Sequence, residues 1–172
     1  MRQLGLREIL QILGIWIAQV VVLNEVELLS FINPYVYPII ILMLPVETKR
    51  AAVLIAAFVL GFSIDLMEQS SGIHAFACSW VGFLRPRLVR LVSTQKGFDF
   101  GALSLRDMGW QKFLFYAFSG LWVHHYFLFV IDEHSLSGWF FHLLDATYTA
   151  VFSLLIILMV QLLAGRKTAT SL

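Results

Sequence analysis

Six apolar stretches follow one another along the chain, at Arg7 to Leu23, Leu28 to Leu44, Ala51 to Met67, Ile73 to Leu84, Lys112 to Ile131 and Trp139 to Leu163. Most approach the ~20 residues that a helix needs to cross the ~30 Å apolar core of a bilayer. A chain built this way has few options, because backbone polar groups inside lipid must be satisfied within helices. The expected fold class is therefore an all-α membrane protein, a single six-helix transmembrane domain over residues 1–172. Six spans of ~20 residues use ~120 of the chain and leave no room for a soluble catalytic domain.

Loop charge tests this partition independently, since lysine and arginine accumulate on the cytoplasmic side of short loops. Arg2 and Arg7 precede the first span, and Lys49 and Arg50 separate the second from the third. Arg85, Arg87, Arg90, Lys96, Arg106 and Lys112 flank the longest loop, and Arg166 and Lys167 close the chain, so all 12 basic residues share one side. The opposite connections, with Glu25, Glu27, Glu68, Asp132 and Glu133, have neither lysine nor arginine. Both termini are expected in the cytoplasm. Arg2 and Arg7 before an apolar run resemble a signal peptide, but no small-residue cleavage site follows, and a retained span is expected. The net charge of +1 excludes nucleic-acid binding by bulk electrostatics, and the single cysteine, Cys78, excludes an internal disulfide framework.

Tyr35, Tyr37, Trp110 and Trp139 fall near span ends, where amphipathic rings favour the headgroup level. Trp16, Trp80 and Trp122 lie mid-span and either face lipid or pack between helices. The fourth span is short and extends only through Arg85-Pro86-Arg87, where Pro86 bends or ends the helix and the arginines snorkel. The loop from Leu88 to Gln111 is either a surface-lying amphipathic segment or a basic linker near anionic lipid.

Ionisable groups within spans are costly and face a bundle interior. Asp65 near the end of span three and His74 at the start of span four sit at similar depth across a tight turn. Asp65 lies at the negative end of its helix dipole and His74 at the positive end of its own, so neither is helped by its own helix and a hydrogen bond between them is expected, either as a clip that fixes the hairpin or in a proton-relay or ligand role. In span six His142, Asp145, Thr149 and Ser153 recur every three or four residues, forming a stripe expected to face inward. Asp65, His74, His142 and Asp145 are thus a candidate polar cluster that organises the bundle or a partner. His124 and His125 are ~100° apart around their helix, so at most one is expected to point inward.

Five histidines, at 74, 124, 125, 134 and 142, with acids at 65, 132, 133 and 145, lack any paired ligand motif, so no metal or cofactor is expected. Ser63, Ser79, Ser119 and Ser153 are scattered without a Gly-x-Ser-x-Gly elbow, and no enzymatic activity is expected. Ala57, Gly61, Gly72, Ala75, Ser79 and Gly82 are expected to let spans three and four approach closely, and Gly14 and Ala18 form one more small pair beside Gln11 and Gln19. Asn33, Pro34 and Pro38 mark a kink in span two, since Pro38 removes a helical hydrogen bond. Such a bend shapes an outer cavity or merely punctuates the chain; the sequence leaves both open.

Taken together, Asn33-Pro34-Tyr35-Val36-Tyr37-Pro38, Leu44-Pro45-Val46-Glu47-Thr48, Gly61-Phe62-Ser63-Ile64-Asp65, Gly72-Ile73-His74-Ala75 and Phe83-Leu84-Arg85-Pro86 resemble the rod shape-determining MreD family, in its Bacteroidota form. The motifs cover residues 33–86; beyond them the match is one of length, span count and character. The resemblance implies a non-enzymatic, multi-pass subunit of the bacterial inner membrane, within the cell-elongation complex that governs cell shape and lateral peptidoglycan synthesis. Its implied partners are MreC directly, then the filament MreB, a SEDS-family glycosyltransferase and a penicillin-binding transpeptidase, with membrane lipid around them. It also implies a fold similar to the substrate-binding subunits of energy-coupling-factor vitamin transporters, which supplies an alternative function. No catalytic residue comes with the resemblance.

Overall fold

The computed structural model describes residues 5–24, 33–93, 103, 105–133 and 138–164. Among the described residues every regular element is helical. Helix α1 (Leu6–Ala18) widens into a π-helical turn over Gln19–Leu23, followed after the undescribed stretch by α2 (Ile39–Leu42), α3 (Arg50–Glu68) and α4 (Ile73–Ser93). A short α5 (Leu105–Met108) precedes α6 (Trp110–Asp132) and α7 (Trp139–Ala164). Three of these, α3, α6 and α7, are long and apolar enough to cross a membrane.

The helices pack in a row, α3 on α4, α4 on α6 and α6 on α7, with α2 lodged against α3, α4 and α6. Close approach at the α3–α4 contact comes from small residues, as their spacing predicts. A Cβ on Gly61 would fall 2.6 Å from the Ala75 Cα and closer still to the His74 carbonyl oxygen, and one on Gly82 would meet the Ala57 methyl at 3.0 Å. Gly72 works differently: a Cβ there would touch nothing, and its φ of +88° instead lets the turn enter α4. On α6, Gly120 leaves room for Leu42, whose methyls a Cβ would strike at 2.6 Å.

Two expected boundaries change. Span two is not a continuous helix: residues 33–36 are non-helical, 37–38 turn, and only Ile39–Leu42 is helical, while 28–32 lie outside the described residues. Pro38 has no N–H and its ring opposes the carbonyl four residues back, so it sits at the N-cap of α2 and the helix restarts after it. Gln19 takes over the lost ladder: its Oε1 accepts from the Val36 N–H at 2.7 Å and its Nε2 donates to the Pro34 carbonyl at 3.3 Å. Span four is longer than expected, because α4 runs through Pro86 to Ser93. Arg85 does not snorkel. It is buried and donates to the carbonyls of Leu42, Leu44 and Pro45, capping the C-terminal end of α2, while the Tyr116 hydroxyl donates to Leu42 at 2.8 Å. Leu88 to Ser93 therefore belong to α4, Leu105–Met108 of the supposed surface segment form α5 with Leu103 and Met108 buried, and 94–102 and 104 lie outside the described residues.

The mid-span tryptophans tie helices together. Trp16 donates to Ser63 at 2.9 Å, Trp122 donates to Thr147 at 3.0 Å, and Trp80 stacks on Phe127 with centroids 4.5 Å apart. Trp110 and Trp139 are exposed at helix starts, whereas Tyr35 and Tyr37 are buried inside the bundle rather than held at its rim.

Candidate functional site

The α3–α4 turn gathers most of the polar groups. Asp65, in the last turn of α3, accepts from the Ser70 hydroxyl at 2.6 Å and the His74 N–H at 3.0 Å through Oδ1, and from the Ala75 N–H at 2.8 Å through Oδ2. The expected bond between Asp65 and His74 thus reaches the main chain of His74, not its ring. The carboxylate stands as an N-cap supplied by the preceding helix, its charge facing the positive end of α4. Gln69 makes this possible by entering the left-handed region at φ 55°, so that its N–H returns to the Asp65 carbonyl.

The His74 ring is thereby free for other partners. Its Nε2 lies 2.7 Å from Glu68 Oε2, and its Nδ1 lies 2.8 Å from the Tyr37 hydroxyl. That hydroxyl is also 2.7 Å from His124 Nε2. Tyr35 covers the group, its ring edge-on to His74 at 5.2 Å and 6.0 Å from the ring of His125. Glu68 keeps 22% of its side chain exposed, while Tyr37 and His124 are fully enclosed.

Both adjacent histidines of α6 are buried, against the expectation that only one would be. The reason is that α6 is covered on two sides, by α4 and by α7, so a ~100° separation keeps both rings inside. His125 Nδ1 donates to the Leu121 carbonyl at 2.6 Å, which leaves its Nε2 without a hydrogen-bond partner, as is His124 Nδ1.

The α7 stripe turns inward in three of four positions. His142, Thr149 and Ser153 are buried and Asp145 is exposed. At 100° per residue Asp145 sits ~60° from His142 and ~40° beyond Thr149, past the edge of the arc that His142, Ala146, Thr149, Ala150 and Ser153 bury. Thr149 Oγ1 and Ser153 Oγ have no hydrogen-bond partner, unlike Thr147, which donates to the Leu143 carbonyl at 2.7 Å. His142 Nε2 is 3.3 Å from Glu133 Oε2, a separation whose angles make no hydrogen bond, and Glu133 is largely exposed. Asp65 and His74 are therefore joined, but no hydrogen bond or ion pair links them to His142 or Asp145 among the described residues. His134 lies outside the described residues.

The residues that sequence reasoning missed are Tyr37 and Glu68, read respectively as an interfacial ring and a loop acid. A phenol between two prolines, next to a forced helix break, is the one local signal for Tyr37, since broken backbone at membrane depth has to be buried in protein. Among the described residues no three His, Cys, Asp or Glu side chains converge as a metal site would require. No family model, curated protein or solved structure matches the chain.

Proposed function

We propose that this chain is an MreD-like scaffold: a non-enzymatic, multi-pass subunit of the bacterial inner membrane that binds MreC and helps position the wall-synthesis enzymes of the elongation complex. The observation that carries the reading is that the motif residues behind the resemblance are bonded or packed against one another. Asp65 holds the start of α4, Gly61 lies against His74 and Ala75, the Tyr37 hydroxyl meets His74, and Arg85 caps α2. Polar groups engaged in this way hold α2, α3 and α4 in one fixed arrangement, which suits a docking platform better than a reaction centre.

Six spans with both termini in the cytoplasm complete the proposal. The sidedness of the 12 basic residues supports it, as do the three long apolar helices, the 21-residue α4 and the unbroken helical run Leu6–Leu23. A second reading, the small-molecule binding subunit of an energy-coupling-factor transporter, is favoured by one observation: His124, His125, Thr149 and Ser153 each bury a polar atom with no hydrogen-bond partner.

Purification of the tagged protein from gently solubilised membranes, with mass spectrometry of what accompanies it, separates the two. Recovery of MreC and the wall-synthesis enzymes is expected. Recovery of a transporter's ATPase pair in their place would overturn the scaffold reading.

A further inference from the structure

The chain of contacts from Glu68 to His124 has a property independent of the scaffold reading. Its three heavy-atom separations, 2.7, 2.8 and 2.7 Å, are all hydrogen-bond distances. The Tyr37 hydroxyl has one proton, two histidine neighbours and the Cys78 thiol as a weaker third partner; in a continuous chain it donates to one ring and accepts from the other. With Glu68 ionised the direction is fixed. His74 Nε2–H donates to the carboxylate, His74 Nδ1 accepts from Tyr37, and His124 Nε2–H donates to the Tyr37 oxygen. His124 Nδ1 is then a bare acceptor, buried and without a partner. With Glu68 protonated every bond reverses: the carboxyl donates to His74 Nε2, His74 Nδ1–H to Tyr37, and Tyr37 to His124 Nε2, leaving the proton of His124 on Nδ1.

We propose that Glu68, His74, Tyr37 and His124 are a proton relay joining the partly exposed α3–α4 end of the bundle to the buried His124 Nδ1. A proton bound at His124 Nδ1 releases the one on Nε2 to the Tyr37 oxygen. The Tyr37 hydroxyl proton passes to His74 Nδ1, and the proton on His74 Nε2 passes to Glu68 Oε2. One N–H forms at the inner end and one carboxyl O–H at the outer end, both rings finish neutral, and the single added charge is absorbed by the carboxylate. The inner terminus, His124 Nδ1, is accordingly the point inside the bundle at which a proton is delivered or withdrawn.

The titratable groups around the relay are Asp65 on α3, Cys78 on α4, Tyr35 beside His74, and His125 and Asp132 on α6. Asp65 is already engaged by two N–H groups and a hydroxyl, and His125 donates to its own helix, so neither interrupts the chain.

The test is nitrogen magnetic resonance of the full chain, 15N-labelled at histidine, in lipid nanodiscs across a pH titration. The relay predicts that His74 and His124 exchange the Nε2–H for the Nδ1–H tautomer together, with one midpoint, while both stay neutral. In Tyr37→Phe, His74 still responds and His124 keeps one tautomer throughout. In Glu68→Gln neither ring responds. Separate midpoints in the wild type, an imidazolium at His74 in place of a tautomer exchange, or a His124 that still switches in Tyr37→Phe would each overturn the proposal. Should Tyr37→Phe fail to fold, Glu68→Gln decides, because a pH response of His124 surviving there excludes the relay.

Discussion

Asp65 Oδ2 accepts the backbone N–H of Ala75 at 2.8 Å, so the side chain that ends α3 also begins α4. Its other oxygen accepts from His74 and Ser70, which leaves the carboxylate engaged on three sides. Asp65→Ala would strand two N–H groups and a hydroxyl at a buried helix start. The expected loss is about 3 kcal/mol, at ~1 kcal/mol or more for each stranded group. Asp65→Asn, which keeps one acceptor oxygen, should lose about half as much. Thermal unfolding in detergent measures both, and an Asp65→Ala protein as stable as wild type would refute the capping role.

Gly61→Ala places a methyl where the backbone of His74 and Ala75 already lies. Backbone cannot yield as a side-chain tip does, so α3 and α4 must separate, at a cost of about 3 kcal/mol. Gly14→Ala is the control: a Cβ at Gly14 meets nothing within 4 Å, and replacing a helical glycine should be neutral or stabilising by up to ~1 kcal/mol. Equal effects of the two substitutions would contradict the packing described for α3 and α4.

Arg85 reaches three carbonyls with one guanidinium, a geometry that a lysine ammonium cannot reproduce. Arg85→Lys should therefore destabilise despite conserving charge, by about 1–3 kcal/mol. Faster proteolysis or hydrogen exchange should appear first around α2, whose last carbonyls lose their donor. Wild-type protection of α2 in Arg85→Lys would show that the cap is dispensable.

The topology proposed from loop charge makes its own prediction. A reporter fused after Leu172 should be active only in its cytoplasmic form, and the same reporter placed in the turn after Glu68 only in its periplasmic form. Activity of the Leu172 fusion in the periplasm would refute the six-span arrangement with both termini in the cytoplasm.

Helical character, the close α3–α4 packing and the inward face of α7 were legible because each depends on spacing within one or two neighbouring helices. Gly61, Ala75 and Gly82 announce themselves by their size, and His142, Thr149 and Ser153 by their period. The Tyr37 group was not legible. Its partners are 37 and 87 residues away in the sequence, and no local pattern encodes which helix a phenol will meet. Arg85 misled for a related reason: charge beside proline at the end of an apolar run reads as an interface, yet the carbonyls released by the short α2 offered it a buried partner. His124 and His125 show the limit of single-helix reasoning, since the number of faces a helix buries is set by its neighbours.

The support that Gln19 gives to Val36 and Tyr37 also bears on how the chain is made. An extended segment with open N–H groups cannot wait alone in lipid for its partners, as an ordinary hydrophobic helix can. Synthesis runs from the N-terminus, so the acceptor on Gln19 emerges before the donors it serves. On the proposed topology the first helix has its acceptor in place before the broken element that needs it arrives, and a chain deprived of Gln19 is expected to fail at insertion, before any question of finished stability arises.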